Sequence, residues 1–466
     1  MTDTNITRAE AAERSSLVSV ESYDVHVDLS GATSESTTTF ASRSTVRFSA
    51  SPGKSTWIDI IAERVTRAVL NGEDLDLATF TGTRLPLPML SLENELVVEA
   101  DCVYMRTGEG LHRFFDPVDK GTYLYTQFEV ADARRMYACF DQPDLKASFE
   151  FAVIAPAHWT VLSNSPEVEP MVAGDLGRWE FAPTPPISTY ITALIAGEYH
   201  TVRTSYRGRE AEIPFSLSCR ASMAPYLDAE RLFATTAHGF DVFEEHFGEP
   251  YPFSDYAQVF VPEFNAGAME NAGCVTIRDE YLYRSRVTSA AYESRDNTIL
   301  HELAHMWFGD LVTMTWWDDL WLNESFAEWA SHFAQDEIRK VYGGEDPWAT
   351  FCNQRKTWAY RQDQLPSTHP IAADMVDLEA VELNFDGITY AKGASALRQL
   401  VAFVGLEPFL AGVRTYFGRH AWGNTQLTDL LRALEEASGR DLAFFTGQWL
   451  QTAGVNTLTS EYELDD

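Results

Sequence analysis

Between Leu17 and about residue 200, apolar side chains fall on alternate positions. Tyr23, Val25, Val27 and Leu29 are separated by polar neighbours, and Phe149, Phe151 and Val153 repeat the pattern. A period of two turns one face of a strand to a core and the other to solvent, so this half is expected to be β-rich. Residues 57–61 and 96–98 are further runs of strand formers, and Asn71-Gly72 is a hairpin-turn dipeptide. After about residue 203 the period changes. Between residues 224 and 247, Leu232, Phe233, Ala237, Phe240 and Phe243 recur at steps of three and four, which predicts a long helix. Residues 256–261 and 274–277 read as strands bracketing the turn-like N-A-G-A-M-E-N-A-G. A second helix is predicted to start near Thr288 or Ser289 and to close at Gly309 as its C-cap. A third is predicted to follow Asn323 as its N-cap, with Phe326, Trp329, Ala330 and Phe333 on its apolar side. Near the end, residues 454–458 resemble the start of another strand. The pattern therefore divides the chain into a β-rich part (1–203), a mixed part (204–450) and a short remainder (451–466), an α+β multidomain protein.

A chain of 466 residues with 45% apolar and 13% aromatic side chains is long enough for more than one core. The 69 acidic residues against 35 basic ones give a formal charge of −34, which repels phosphate backbones and anionic lipid, so neither nucleic acid nor membrane is an expected partner. Most of this charge is read as solvated surface. Cys102, Cys139, Cys219, Cys274 and Cys352 are scattered without a C-x-x-C pair, which argues against a disulfide framework or a thiolate zinc site. The first residues lack the apolar core of a secretory signal and no run approaches 18 apolar residues; the expectation is a soluble, cytoplasmic protein.

The stretch I-L-H-E-L-A-H-M-W-F-G (299–309) lies on the second predicted helix. Positions i and i+4 share a face, so His301 and His305 can aim ring nitrogens at one ion about 2.1 Å away. They could instead be surface histidines, or core histidines bonded to backbone carbonyls. Leu300, Leu303, Ala304, Met306 and Trp307 mark the helix as largely buried, where two unpaired imidazoles are costly and a metal satisfies both. A third ligand is available from N-E-S-F-A-E (323–328), where Glu324 and Glu328 stand one turn apart on a helix otherwise committed to burial. Glu324 is assigned to the metal, and Glu328 is expected to accept a proton from the distal nitrogen of a ligand histidine. A catalytic zinc takes three protein ligands and leaves a fourth position to water, and Glu302 is placed to take the proton of that water as general base. A purely structural zinc site is the alternative.

Taken together, H-E-L-A-H (301–305), W-L-N-E-S-F-A-E (321–328) and G-A-M-E-N (267–271), with eighteen residues between His305 and Glu324, resemble the M1 family of zinc aminopeptidases, the gluzincins. The resemblance runs from about residue 17 to the end. It implies a saddle-like β-rich N-terminal domain followed by a thermolysin-like catalytic domain, one Zn2+ per chain, and peptides with a free N-terminus as substrates. It further implies that Glu270 binds the substrate's α-amine with Glu129 of T-Q-F-E (126–129) as its partner and Gln127 beside them. By the same resemblance Tyr390 of T-Y-A-K-G-A-S stabilises the tetrahedral intermediate, Gly267, Ala268 and Met269 contact extended substrate, and Ala266 helps wall the pocket for the first side chain. Relatives continue into a further β-sandwich and a helical domain, so this chain is expected to comprise their first two domains. Two other readings stand beside peptide hydrolysis: an epoxide hydrolase of the leukotriene A4 hydrolase type, and a zinc-stabilised module that captures peptide N-termini without turnover.

Overall fold

The computed structural model describes residues 4–457 and 459–463. In the first half the alternating pattern builds an eight-stranded sheet. At its centre Val18–Asp28 pairs antiparallel with Thr39–Ala50 and parallel with Ser148–Pro156, and burial alternates along it as the period of two requires. A four-stranded sheet of Thr160–Ser163, Leu194–Gly197, Thr122–Gln127 and Gly110–Phe115 accompanies it. Buried aromatic rings pack on one another in this half: Tyr23 stacks on Phe149 at 4.7 Å, and Tyr137 meets Phe149 and Phe151 edge-on. Asn71 and Gly72 both take positive φ, 53° and 86°, in the two-residue turn between Arg64–Leu70 and Glu73–Asp74, as that dipeptide predicts.

A helix that the alternation does not announce precedes this sheet. In α1 (Arg8–Leu17), Thr7 and Glu10 form a reciprocal capping box, and the buried face carries Ala11 and Arg14. Arg14 lies wholly buried with Nη1 2.6 Å from Asp59 Oδ2 and Nε donating to Gln142 Oε1 at 2.5 Å.

Between Gly197 and Tyr199 the chain leaves the first sheets; Tyr199–Arg207 already belongs to the next, so a strand runs through position 203. That five-stranded sheet continues through Glu212–Arg220, Tyr256–Val261 and Cys274–Arg278 to an edge strand, Ala268–Met269, which pairs antiparallel with its neighbour only. Helices α2 (Ala229–Phe247), α3 (Ser289–His305) and α4 (Leu320–Tyr342) pack below it. The helix predicted from residue 224 starts later because Ala221–Tyr226, with Pro225 inside it, forms a tighter 3₁₀ turn first.

Two predicted helix ends are corrected. Thr288 caps α3 as expected, its hydroxyl accepting from Ala291 N, but the helix stops at His305 and not at Gly309. Gly309, at φ +128°, serves the following turn, where its N–H donates to the Val312 carbonyl at 2.9 Å. Asn323 is not an N-cap: Leu320, Trp321 and Leu322 are buried, so α4 begins before it. The Asn323 side chain is drawn instead into the interior, with Nδ2 3.3 Å from the Tyr190 hydroxyl. Residues 454–457 carry no strand, and Leu458 lies outside the described residues.

The halves are joined by charge. Arg220 reaches Asp116 of the first half and Asp279 of the second, each at 2.6 Å and all three largely buried. No single helix among the described residues is long and apolar enough to cross a membrane.

Candidate active site

His301 and His305 stand one turn apart on α3, and α4 crosses so that Glu324 faces both. His301 Nε2 lies 3.1 Å from His305 Nε2 and 3.3 Å from Glu324 Oε2, and His305 Nε2 is 3.5 Å from the same oxygen. Donors bound tetrahedrally at about 2.0–2.1 Å from one zinc ion stand about 3.3–3.4 Å apart, so the three atoms fit such an ion closely. The tautomer fits as well. His305 Nδ1 is 2.9 Å from the Phe308 carbonyl, which can only accept, so Nδ1 carries a hydrogen and Nε2 is the nitrogen left to offer a lone pair to an ion. All three side chains are buried.

Three more carboxylates crowd the same space. Ligand atoms of Glu270, Glu302 and His305 lie within 4.8 Å of one another, as do those of Glu129, Glu270 and Glu324. Burial, reinforced by Glu270 and Glu324, pushes the Glu129 carboxyl well above the usual range; burial and Glu324 raise Glu270; burial, Glu270 and Glu324 raise Glu302. Glu324 is the exception: burial opposes ionisation, yet His301 and His305 bring it down to about 2. Glu270 Oε1 is buried without a hydrogen-bond partner. The cluster has more carboxyl groups than its histidines could balance if all ionised, and their raised proton affinity shows that a cation is what full ionisation lacks.

The carboxylates line a cleft of ≈ 630 Å³ between the two halves. Glu129 enters it from the first half, just past Thr122–Gln127, while Glu270 follows the edge strand Ala268–Met269 of the second. Gln127 Nε2 approaches Met269 Sδ at 3.5 Å, so these neighbours meet across the boundary. Ala266 and Gly267 form the rim of the same cleft, with the Gly267 carbonyl accepting from Arg278 N at 3.0 Å. Tyr390 closes the opposite wall from the π-helical turn Ile388–Lys392, its ring stacked on His301 at 6.0 Å. Burial, then Glu324, Glu129 and Glu270, raise its hydroxyl far above the ordinary phenol value and keep the proton on.

Glu328 departs from its expected role. It is buried, yet its Oε2 stands 3.9 Å from His301 Nδ1, beyond hydrogen-bond distance. Its carboxylate is taken up by Arg355, which donates through Nε at 2.7 Å and Nη2 at 2.6 Å. Arg355 sits on the turn Phe351–Arg355 and lines the cleft, and no spacing in the sequence marks it. The Phe308 carbonyl that orients His305 was equally invisible, because it depends on how the chain turns after α3.

Known proteins resemble this chain in sequence. The Peptidase M1 N-terminal domain matches residues 107–191 and the Peptidase family M1 domain matches residues 232–449. Over its whole length the chain is 58% identical to aminopeptidase N of Streptomyces lividans. The chain belongs to peptidase family M1. Members of this family are metallopeptidases. The chain is also 37% identical to tricorn protease-interacting factor F2 of Thermoplasma volcanium over 73% of its length, and 35% identical to aminopeptidase M1 of Arabidopsis thaliana over 74%. It spans two-fifths to a half of the length of these relatives: 54%, 42% and 38% respectively.

Proposed function

We propose that this M1 chain is a zinc-dependent aminopeptidase that removes the first residue from peptides with a free α-amine. The observation that carries this reading is the triangle of His301, His305 and Glu324 donors beside the paired carboxylates of Glu129 and Glu270. One Zn2+ per chain would be held by that triangle. When bound, zinc supplies Lewis acidity that makes a water acidic near neutral pH and polarises the scissile carbonyl.

The chain's own groups do the rest. Glu302, whose proton affinity is raised by its surroundings, takes a proton from the attacking water and returns it to the departing amine. Tyr390 keeps its hydroxyl proton and donates a hydrogen bond to the oxygen on which charge develops, an interaction worth about 3 kcal/mol in comparable sites. Glu129 and Glu270 repel each other until the substrate's ammonium lies between them, which selects a free N-terminus over a blocked one. The outer edge of Ala268–Met269 offers backbone groups to extended substrate, in the manner of an added strand. Ala266 leaves the first side chain room, and Arg355 fixes Glu328 behind His301.

Incubation with an unblocked aminoacyl-anilide before and after chelation tests the reading. Release of amine that stops on chelation and returns with zinc is expected. Stoichiometric zinc with no such release would instead favour a module that captures N-termini without turnover.

A further inference from the structure

The turn that carries Tyr390 is mounted from two sides. Asp386 Oδ1 accepts from Ile388 N at 2.8 Å and from Thr389 N at 3.2 Å, and the Asp386 carbonyl accepts from Tyr390 N at 3.1 Å. On the other side Ser325 Oγ of α4 donates to the Thr389 carbonyl at 2.6 Å, and Gly393 approaches Ser325 so closely that a Cβ there would collide with it. The remaining oxygen of Asp386, Oδ2, faces His369 Nε2 at 3.0 Å, and His369 Nδ1 faces the Pro370 carbonyl at 2.7 Å. A carboxylate and a carbonyl both accept, so both ring nitrogens must carry hydrogen for the two contacts to hold. The arrangement is that of an imidazolium. Asp386 and Lys392 are the charged groups facing it, and Lys392 is itself bound to Asp363 at 2.9 Å.

We propose that protonated His369 is a positioning residue for Tyr390: it clamps Asp386, Asp386 caps the turn, and loss of the ring proton releases the hydroxyl from its working position. This rests on the reading that Tyr390 serves peptide hydrolysis. Burial works against the charge on His369, but Asp386 and the Pro370 carbonyl outweigh it and raise the ring above its ordinary value. With a raised folded-state pKa the clamp is complete below about pH 6.5 and is lost as pH rises through the higher value.

The test pairs kinetics with an observation that needs no turnover. In wild type, kcat is expected to fall about tenfold or more along an alkaline limb that coincides with the His369 pKa measured by NMR, with KM little changed. In Asp386→Asn, which keeps an oxygen for the cap but removes the charge, both the limb and the His369 pKa are expected to move to lower pH. A His369 pKa that moves while the limb stays overturns the proposal. Independently, the ¹³C-tyrosine resonance assigned through Tyr390→Phe is expected to show in wild type a titration step at the His369 pKa that is missing in His369→Gln. A wild-type resonance without that step, or a step at the same pH that persists in His369→Gln, overturns the clamp. Absence of hydrolysis at every pH would count against the peptidase reading, and the Tyr390 resonance would still decide the clamp.

Discussion

Two buried polar clusters, one in each half of the molecule, follow opposite rules. In the first half, Arg14 is wholly buried but matched in charge, though its Nη2 has no hydrogen-bond partner: Asp59 answers the charge at 2.6 Å, Gln142 accepts from Nε, and the Trp57 ring lies 4.9 Å from the guanidinium. In the second, Glu270, Glu302 and Glu324 are buried around two histidines, with Glu129 joining from across the cleft. A matched cluster locks structure, because breaking it strands a charge. An unmatched cluster costs stability in the isolated chain and is retained where cations complete it, so the imbalance marks the site more clearly than any single residue type.

Substitutions that treat the two clusters alike should have unlike results. The largest effect is expected from His301→Ala, which removes one corner of the donor triangle: metal content by elemental analysis should fall from one per chain toward none, and hydrolysis with it. Glu302→Gln should keep the zinc while lowering kcat by about 10²–10⁴-fold, measured on an aminoacyl-anilide; activity retained within tenfold would remove Glu302 as general base. In the matched cluster Asp59→Ala strands Arg14 and is expected to cost about 3–5 kcal/mol in denaturant unfolding, with zinc affinity of the folded protein unchanged. A smaller effect is expected from Glu270→Gln, which should weaken free-amine substrates about 10–100-fold while leaving N-acetylated competitors unaffected; equal losses for both would contradict amine capture. At the small end, Thr7→Ala opens the capping box of α1 and should cost about 1 kcal/mol without touching turnover.

The same contrast explains what the sequence made legible. His301 and His305 could be paired from the chain alone because four residues on a helix bring them together, and Glu324 because it stands one turn from Glu328 on a helix otherwise committed to burial. The strands of the first half were legible where one face is core and the other is wet, as along Val18–Asp28. Helix α1 was not, because its buried face is Ala11 and an arginine, and a buried charge erases the hydrophobic period. Asn323 misled for a related reason: its type suits a helix cap, but Tyr190, from the other half, draws it into the interior. The partner of Glu328 was equally hidden, since Arg355 lies 27 residues away and arrives through tertiary packing. What the sequence conceals in each case is a polar group whose partner is distant in the chain.

The central claim is that α3 and α4 jointly hold one divalent ion through His301, His305 and Glu324. Zinc K-edge X-ray absorption on the zinc-loaded chain tests it most directly. One zinc per chain is expected, bound by two imidazole nitrogens and carboxylate or water oxygen at about 2.0–2.1 Å, with one imidazole contribution lost in His305→Ala. A zinc spectrum without imidazole scattering, or one unchanged by that substitution, would contradict the account.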